Sequence, residues 1–150
     1  MRGPARILRA DLRPDPAAVR VTLVHLCADL VRMGLPPEAA ATVELVLAEV
    51  LNNIVEHAFA PGQAGRIAVM LRAGADHVLC EVRDDGCGMP GGRLPGADVT
   101  MTGPDPLALA EGGYGWFLIR SLAQGVTYDR GPAGNRLRFR VPVTRPTEVQ

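Results

Sequence analysis

The sequence predicts an α+β fold in which one layer of helices covers one sheet. Segments with the apolar spacing of helices and segments with the alternation of strands are segregated along the chain. A short turn between two of the strands favours antiparallel pairing. The chain has 150 residues, 47% of them hydrophobic, which suits one domain with a substantial core. We therefore predict a two-layer α/β sandwich, with a mixed, mostly antiparallel sheet and about three helices on one face, as a single domain over residues 1–150.

The first half of the chain predicts one strand followed by two helices. The strand spans residues 5–12. Apolar residues then recur at helical spacing from Asp15 to Met33, and Gly34 ends that run. A second helix over about 37–59 begins with two prolines and is closed by Pro61-Gly62.

The second half predicts four strands and a third helix. The first two strands are joined by a hairpin turn, and a stretch rich in proline and glycine follows them. The predicted elements are strands over 66–73 and 77–83, a helix over 115–124 stopped by Gly125, and two strands near 126–129 and 136–143, joined by residues 131–135.

The charged residues exclude several functions. Sixteen basic residues balance sixteen acidic ones, so no net field attracts the chain to nucleic acid or to a membrane surface. All sixteen basic residues are arginine. The lack of lysine excludes a Walker A phosphate loop, Schiff-base chemistry and a kinase built around a strand lysine.

Cysteine usage and apolar patterning predict a cytoplasmic protein. The three cysteines form no CxxC pair, and a disulfide framework is not expected. The first residues lack the apolar segment of a signal peptide, and no apolar stretch approaches the length of a membrane span. We expect neither a membrane nor a nucleic acid as a partner.

The second predicted helix has a polar face of unusual composition. Glu49, Asn52, Asn53, Glu56 and His57 gather on this face, opposite the apolar one. Adjacent asparagines are poor helix formers, and a solvent face under no other demand rarely carries them. Glu49 and Asn53 are four residues apart and share one side of the helix, where a carboxylate beside an amide oxygen suits a hard cation and can accept a proton. The alternative is an ordinary solvated surface.

The strand that ends at Arg83 runs directly into Asp84 and two glycines. Gly86 and Gly88 permit positive φ and a close approach of the backbone to a ligand. The carboxylate of Asp84, fixed at the end of a strand, can accept hydrogen bonds from a ligand amine. The alternative is a tight turn, because Asp-Gly is common turn chemistry.

A third motif, Gly112–Gly115, leads directly into the third predicted helix. The free N–H groups and positive dipole end of a helix make an anion site. The alternative is a linker before a core helix. Packing in the core is favoured over base stacking for Trp116.

The order and spacing of the three motifs resemble the GHKL ATP-binding fold, also called the Bergerat fold. The resemblance extends over about residues 36–143. Ala48–Ala58 resembles the N box, and Gly112–Arg120 resembles the box that opens a helix. Within the superfamily the chain is most similar to the anti-sigma-factor serine/threonine kinases of bacterial partner-switching systems, and Arg138–Pro142 resembles their last strand.

The resemblance implies a role for each motif residue. Glu49 would be the general base, Asn53 would coordinate Mg²⁺ at the phosphates of ATP, and Asp84 would bind the adenine amino group. The other implied residues are Gly86 and Gly88 at the pocket floor, Gly113, Tyr114, Gly115 and Trp116 around the nucleotide, a lid over residues 89–112, and Arg20 as a partner contact. His57, at the end of the second helix, is either a nucleotide contact or a cap of that helix.

The implied function is phosphorylation of a serine on an anti-sigma-factor antagonist, with ATP and Mg²⁺ as cofactors. A sigma factor would be a second partner, and the protein would be a homodimer. Three departures from the family pattern are Ile54 after Asn53, a lid with a single basic residue, Arg93, and Asp85 beside Asp84. The alternatives are an ATP-binding module of the same fold without phosphotransfer and the catalytic domain of a histidine kinase. The histidine kinase is disfavoured because Glu49 stands where an asparagine or histidine is expected.

Overall fold

The computed structural model describes residues 6–89 and 114–144, which contain five strands and three helices. In chain order the elements are β1 (Arg6–Leu12), α1 (Pro16–Arg32), α2 (Pro37–His57), β2 (Ile67–Ala73), β3 (His77–Asp84), α3 (Tyr114–Leu122), β4 (Gln124–Gly131) and β5 (Gly134–Pro142). All eight predicted elements occur in the predicted order. None of the described helices is long and apolar enough to cross a membrane.

The five strands form one sheet in the order β1-β2-β3-β5-β4, and each neighbouring pair is antiparallel. Strand β5 therefore lies between β3 and β4. Its register places Asn135 opposite Asp84, although the two residues are 51 positions apart in the chain. This pairing brings the start of the last strand to the end of β3, where the second sequence motif begins.

The helices cover one face of the sheet. On β2 the alternating side chains of Ile67, Val69 and Leu71 are buried in the core beneath them. The opposite face is open, and Arg72 and Arg140 are exposed there. Helix α2 packs against both α1 and α3. Its apolar side lies in the core, and four of its residues, Val50, Asn53, Ile54 and His57, line the cavity described below.

The junction of α3 and β4 differs from the prediction. The helix was expected to continue to residue 124, but it ends at Leu122, and Gln124 already pairs with Arg140 in the sheet. Gly125 has a φ of +61° and lies within a register shift between β4 and β5. It therefore accommodates a β-bulge and does not stop a helix. Because the helix ends earlier than predicted, strand β4 begins at Gln124 and not near residue 126.

Candidate functional site

A cavity of about 270 Å³ lies between α2, the loop after β3, the start of β5 and α3. Its apolar walls include Val50, Ile54, Met89, Trp116 and Leu137. Its polar lining includes Asn53, His57, Asp84, Tyr128 and Asn135. Apolar walls with a few placed polar groups are typical of small-molecule sites, and a volume just below the usual range of roughly 300–1,000 Å³ suits one ring system better than a whole nucleotide.

Asp84 supplies the carboxylate of this cavity. Its side chain is buried at the carboxyl end of β3, with 7% of the residue exposed. Oδ1 accepts hydrogen bonds from the backbone N–H of Gly86 and from Nδ2 of Asn135, both at 2.9 Å. Because both bonds end on Oδ1, Oδ2 is the oxygen left to accept a hydrogen bond from a ligand. Burial raises the pKa of Asp84 above its usual value, and the two hydrogen bonds offset part of that effect.

The two glycines after Asp84 allow the loop to pack closely against the rest of the chain. A Cβ on Gly86 would lie 2.5 Å from the carbonyl oxygen of Ala58, and one on Gly88 would lie 2.8 Å from Cδ of Arg130. Neither glycine has a positive φ, so the expected left-handed conformation is wrong. Gly88 lines the cavity, whereas Gly86 does not. Both glycines are therefore needed for close packing. Of the two, Gly88 alone also lies where a ligand in the cavity would contact it.

A hydrogen-bond network on the β4–β5 hairpin supports Asp84, and the sequence did not predict it. Asn135 is 5% exposed and donates through Nδ2 to Asp84 and to the backbone oxygen of Cys87, each at 2.9 Å. Its Oδ1 accepts from the hydroxyl of Tyr128 at 2.8 Å and from Nη1 of Arg130 at 2.7 Å. In the sequence Asn135 belongs to a glycine-containing turn, and only the register of β3 with β5 reveals its contact with Asp84.

Glu49 and Asn53 lie nearer the start of α2, and Glu49 is about 12 Å along the helix axis from His57, the last helical residue, at 1.5 Å per residue. Nδ2 of Asn53 donates to the backbone oxygen of Glu49 at 2.8 Å, which leaves Oδ1 as its free acceptor. Helix α3 approaches both side chains closely. A Cβ on Gly115 would lie 2.5 Å from Oε2 of Glu49 and 3.3 Å from Nδ2 of Asn53. The structure therefore brings together three of the residues that the sequence selected.

Of the remaining predicted site residues, His57 and Trp116 line the cavity and Arg20 does not. His57 is the last residue of α2, and it lines the cavity with an exposed side chain. Trp116 is both a core residue, 7% exposed, and part of the cavity wall. Arg20 is exposed on α1 and does not line the cavity. Gly113 and the predicted lid from residue 90 onward lie outside the described residues, and of Tyr114 only the backbone is described.

The donor groups suit a metal that is shared with a ligand. Within residues 6–89 and 114–144 no group of three or more His, Cys, Asp or Glu side chains could hold a metal ion. Mg²⁺ commonly keeps several waters and binds through one or two protein oxygens together with substrate phosphates. Oδ1 of Asn53 is an oxygen donor of that kind, beside the carboxylate of Glu49.

A comparison with protein families matches most of the chain. Residues 12–141 match the histidine kinase-like ATPase domain. The chain belongs to this family. The match includes both Glu49 and Asp84, and membership in this ATPase family implies the use of ATP. The GHKL resemblance drawn from the three motifs is confirmed.

Two named kinases are among the relatives of this histidine kinase-like ATPase. Serine/threonine-protein kinase BtrW of Bordetella bronchiseptica is 33% identical over 101 residues, which cover 64% of the chain and 66% of BtrW. Serine-protein kinase RsbW of Oceanobacillus iheyensis is 28% identical over 116 residues, covering 74% of the chain and 71% of RsbW. The chain thus spans about two thirds of the length of these relatives, and the predicted similarity to serine kinases of the superfamily is confirmed.

A solved structure has the same fold. The crystal structure of the RsbU and RsbW domains of a Mycobacterium tuberculosis protein aligns with a TM-score of 0.63 and 20% identity. The alignment covers 96% of this chain and 34% of that chain. At this identity the likeness concerns the fold alone. It confirms the predicted α+β sandwich of the histidine kinase-like ATPase type.

Proposed function

We propose that this protein is an ATP-dependent serine/threonine kinase that phosphorylates a serine on an anti-sigma-factor antagonist. The observation that carries the proposal is the placement of Asp84 and Asn53 on one cavity, with Glu49 beside Asn53. The names of the two relatives support kinase activity. The resemblance of the motifs to partner-switching kinases supports the antagonist as the substrate.

ATP would lie with its base in the cavity and its phosphates toward α3. Oδ2 of Asp84 would accept a hydrogen bond from the adenine amino group, between apolar walls that include Ile54 and Trp116. Oδ1 of Asn53 would hold Mg²⁺ at the phosphates. Backbone N–H groups at the start of α3, which Gly115 brings close to Glu49, would bind phosphate oxygens in place of a lysine.

Phosphotransfer would form a bond between the serine Oγ and the γ-phosphorus and break the bond from that phosphorus to the bridging oxygen. Glu49 would take the proton of the serine hydroxyl. Mg²⁺, when bound, supplies charge neutralisation at the phosphates. The contact of Asn53 with the backbone of Glu49 and the close approach of Gly115 would hold the base beside the metal ligand.

The partners follow from the same proposal. Residues 1–150 would form one cytoplasmic domain that acts as a homodimer and binds a sigma factor as well as the antagonist. Arg20 is exposed on α1, as a residue that contacts a partner must be. Phosphoserine on the antagonist would add negative charge at the interface and weaken the complex.

An ATP-binding module without phosphotransfer is the second candidate. One feature of the sequence favours it, since the chain contains no lysine that could stabilise the transferring phosphate. Phosphoryl transfer commonly uses a cation to stabilise the charge that develops on the phosphate.

The test combines nucleotide binding with transfer. Calorimetry with ATP, with and without Mg²⁺, should show Mg²⁺-dependent binding by the wild type. Asn53→Ala should weaken binding in Mg²⁺ by about tenfold or more, as expected for a lost contact with a charged group. Asn52→Ala is the matched control, because Asn52 is exposed and does not line the cavity.

Transfer is then measured with γ-labelled ATP and purified candidate antagonists from the same organism. Label on a serine of an antagonist supports the kinase. Tight ATP binding without label on any of them supports the binding module. Equal effects of the two asparagine variants would contradict the metal assignment, and a wild type that does not bind ATP would overturn both candidates.

A further inference from the structure

The β4–β5 hairpin belongs to none of the three sequence motifs, but it contacts residues 86–88, which we call the glycine loop, and the adjacent Met89. Arg130 and Tyr128 both donate to Oδ1 of Asn135. The backbone N–H of Met89 donates to the hydroxyl of Tyr128 at 3.0 Å. We call Tyr128, Arg130 and Asn135 the hairpin clamp.

The clamp holds the loop from one side while α2 holds it from the other. Asn135 donates to the backbone oxygen of Cys87 at 2.9 Å, and the backbone N–H of Cys87 donates to the oxygen of Ala58 at 2.9 Å. Cβ atoms at Gly86 and Gly88 would collide with Ala58 and Arg130 respectively. The loop therefore has no room to shift toward either side.

Arg130 is an exposed residue that lies outside the cavity lining. Tyr128 and Asn135 line the cavity, whereas Arg130 does not. Its Nη1 lies 2.7 Å from Oδ1 of Asn135 and 3.4 Å from the backbone oxygen of Gly86. The bond to Asn135 fixes the orientation of the amide, because a guanidinium can only donate and must face the carbonyl oxygen. The amide nitrogen is then directed to Asp84.

We propose that Arg130 is a positioning residue, which orders Asn135 and the glycine loop so that Oδ2 of Asp84 faces the amino group of the base. The inference rests on the proposed binding of ATP in this cavity. Arg130 would thus contribute to recognition of the base. An arginine near a nucleotide more commonly contacts a phosphate.

The test compares Arg130→Met with the wild type by calorimetry, using ATP, ADP and purine riboside 5′-triphosphate. The last compound lacks the 6-amino group. We expect Arg130→Met to weaken ATP and ADP by the same factor, about tenfold, as expected for the loss of one charge-assisted hydrogen bond. Binding of purine riboside triphosphate should change much less, because it does not use the oxygen that the clamp orients.

Two further variants separate positioning from general destabilisation. Arg136→Met is the matched control, since Arg136 lies on the same hairpin and pairs with Asp129 at 3.1 Å. It should bind all three nucleotides as the wild type does. Arg130→Lys should recover part of the lost ATP affinity. In the protein without nucleotide, the amide of Cys87 should exchange hydrogen faster in Arg130→Met than in Arg136→Met.

A loss that is larger for ATP than for ADP would indicate a phosphate contact and overturn the inference. Equal losses for ATP and purine riboside triphosphate would overturn it as well. Normal ATP binding by Arg130→Met, with a wild type that binds ATP, would defeat the clamp and leave the proposed function intact. A wild type that binds no nucleotide would overturn the proposed function, and this inference with it.

Discussion

The two ends of the candidate site are built in different ways. The end that we propose for the base, called the base end, consists of Asp84, the glycine loop 86–88 and the hairpin clamp. Its polar groups are joined by a network of hydrogen bonds across strands. The end that we propose for the phosphates, called the phosphate end, consists of Glu49, Asn53 and Gly115. There, within the described residues, the structure shows one side-chain hydrogen bond, from Asn53 to the backbone of its own helix.

The difference indicates where each end obtains its order. At the base end the protein itself satisfies most of the polar groups, so the geometry exists before a ligand binds. At the phosphate end, a metal ion and phosphates would supply the partners of the Glu49 carboxylate and of Oδ1 of Asn53. We infer that the base end sets which nucleotide binds, and that the phosphate end determines whether transfer occurs.

Glu49→Gln should have the largest effect and should confine it to the phosphate end. The variant keeps the size of the side chain and removes the proton acceptor, and a general base commonly contributes a factor of about 10² to 10⁴ in rate. We expect phosphotransfer to fall by that factor while calorimetry shows ATP binding within about twofold of the wild type. Glu38→Gln, which changes an exposed carboxylate on the same helix outside the cavity lining, is the control. Unchanged transfer by Glu49→Gln would end its assignment as the base.

Asp84→Asn should act on the base end alone. The amide oxygen of the variant can still accept the hydrogen bonds from Gly86 and Asn135. Its NH2 group would then replace Oδ2, and because this group donates, it cannot accept a hydrogen bond from the adenine amino group. We expect ATP affinity to fall by about 10- to 100-fold, as for a lost hydrogen bond to a charged group, with little loss for purine riboside triphosphate. Competition calorimetry with both nucleotides measures the ratio. Equal losses for the two would place Asp84 away from the amino group.

The same difference explains what could be predicted from the sequence. Glu49 and Asn53 are four residues apart on one helix, so the helical period alone places them together. The elements were also predictable, because their apolar spacing reflects local geometry. Asn135 and Arg130 reach Asp84 only through the insertion of β5 between β3 and β4, a tertiary feature that no local pattern carries. Gly125 was misinterpreted because a positive φ serves a β-bulge as well as a helix end.

Alanine at Gly86 and at Gly115 should separate stability from activity. Both Cβ atoms would come within 2.5 Å of an oxygen, but at Gly86 it is the backbone oxygen of Ala58, whereas at Gly115 it is the end of the Glu49 side chain. A backbone clash cannot be relieved by a rotamer change, so Gly86→Ala should lower the free energy of unfolding by about 1–3 kcal/mol. Gly115→Ala should move the Glu49 carboxylate and reduce phosphotransfer at a smaller cost in stability.

Urea denaturation and a transfer assay on the same preparations test this pair. Gly131→Ala is the matched control, because nothing lies within 4 Å of its Cβ position and its φ is not positive. It should change the free energy of unfolding by no more than about 0.5 kcal/mol. If Gly86→Ala were as stable as Gly131→Ala, the glycine loop would have more freedom than the clamp implies.

The pH dependence should give the smallest effect, and it should come from the base end. Burial raises the pKa of Asp84, so its carboxylate takes up a proton at a higher pH than an exposed carboxyl does. The charge of Asp85 acts in the same direction, and that of Arg130 acts in the opposite one. As the pH falls toward the pKa of Asp84, ATP affinity should decline more steeply in the wild type than in Asp84→Asn. The variant is also the control for titration of the ATP phosphates, which affects both proteins.

Stability should respond with the opposite sign. A raised pKa in the folded state means that the contribution of Asp84 to stability is complete at low pH and is lost as the pH rises through that pKa. Asp84→Asn should therefore unfold at a higher temperature than the wild type at neutral pH, and the difference should close as the pH is lowered. Thermal unfolding from neutral to mildly acidic pH measures it. If the difference in unfolding temperature between the two proteins does not change with pH, the cost of the Asp84 side chain lies in packing and not in its charge. The proposal that the base end holds Asp84 as a buried carboxylate would then be wrong.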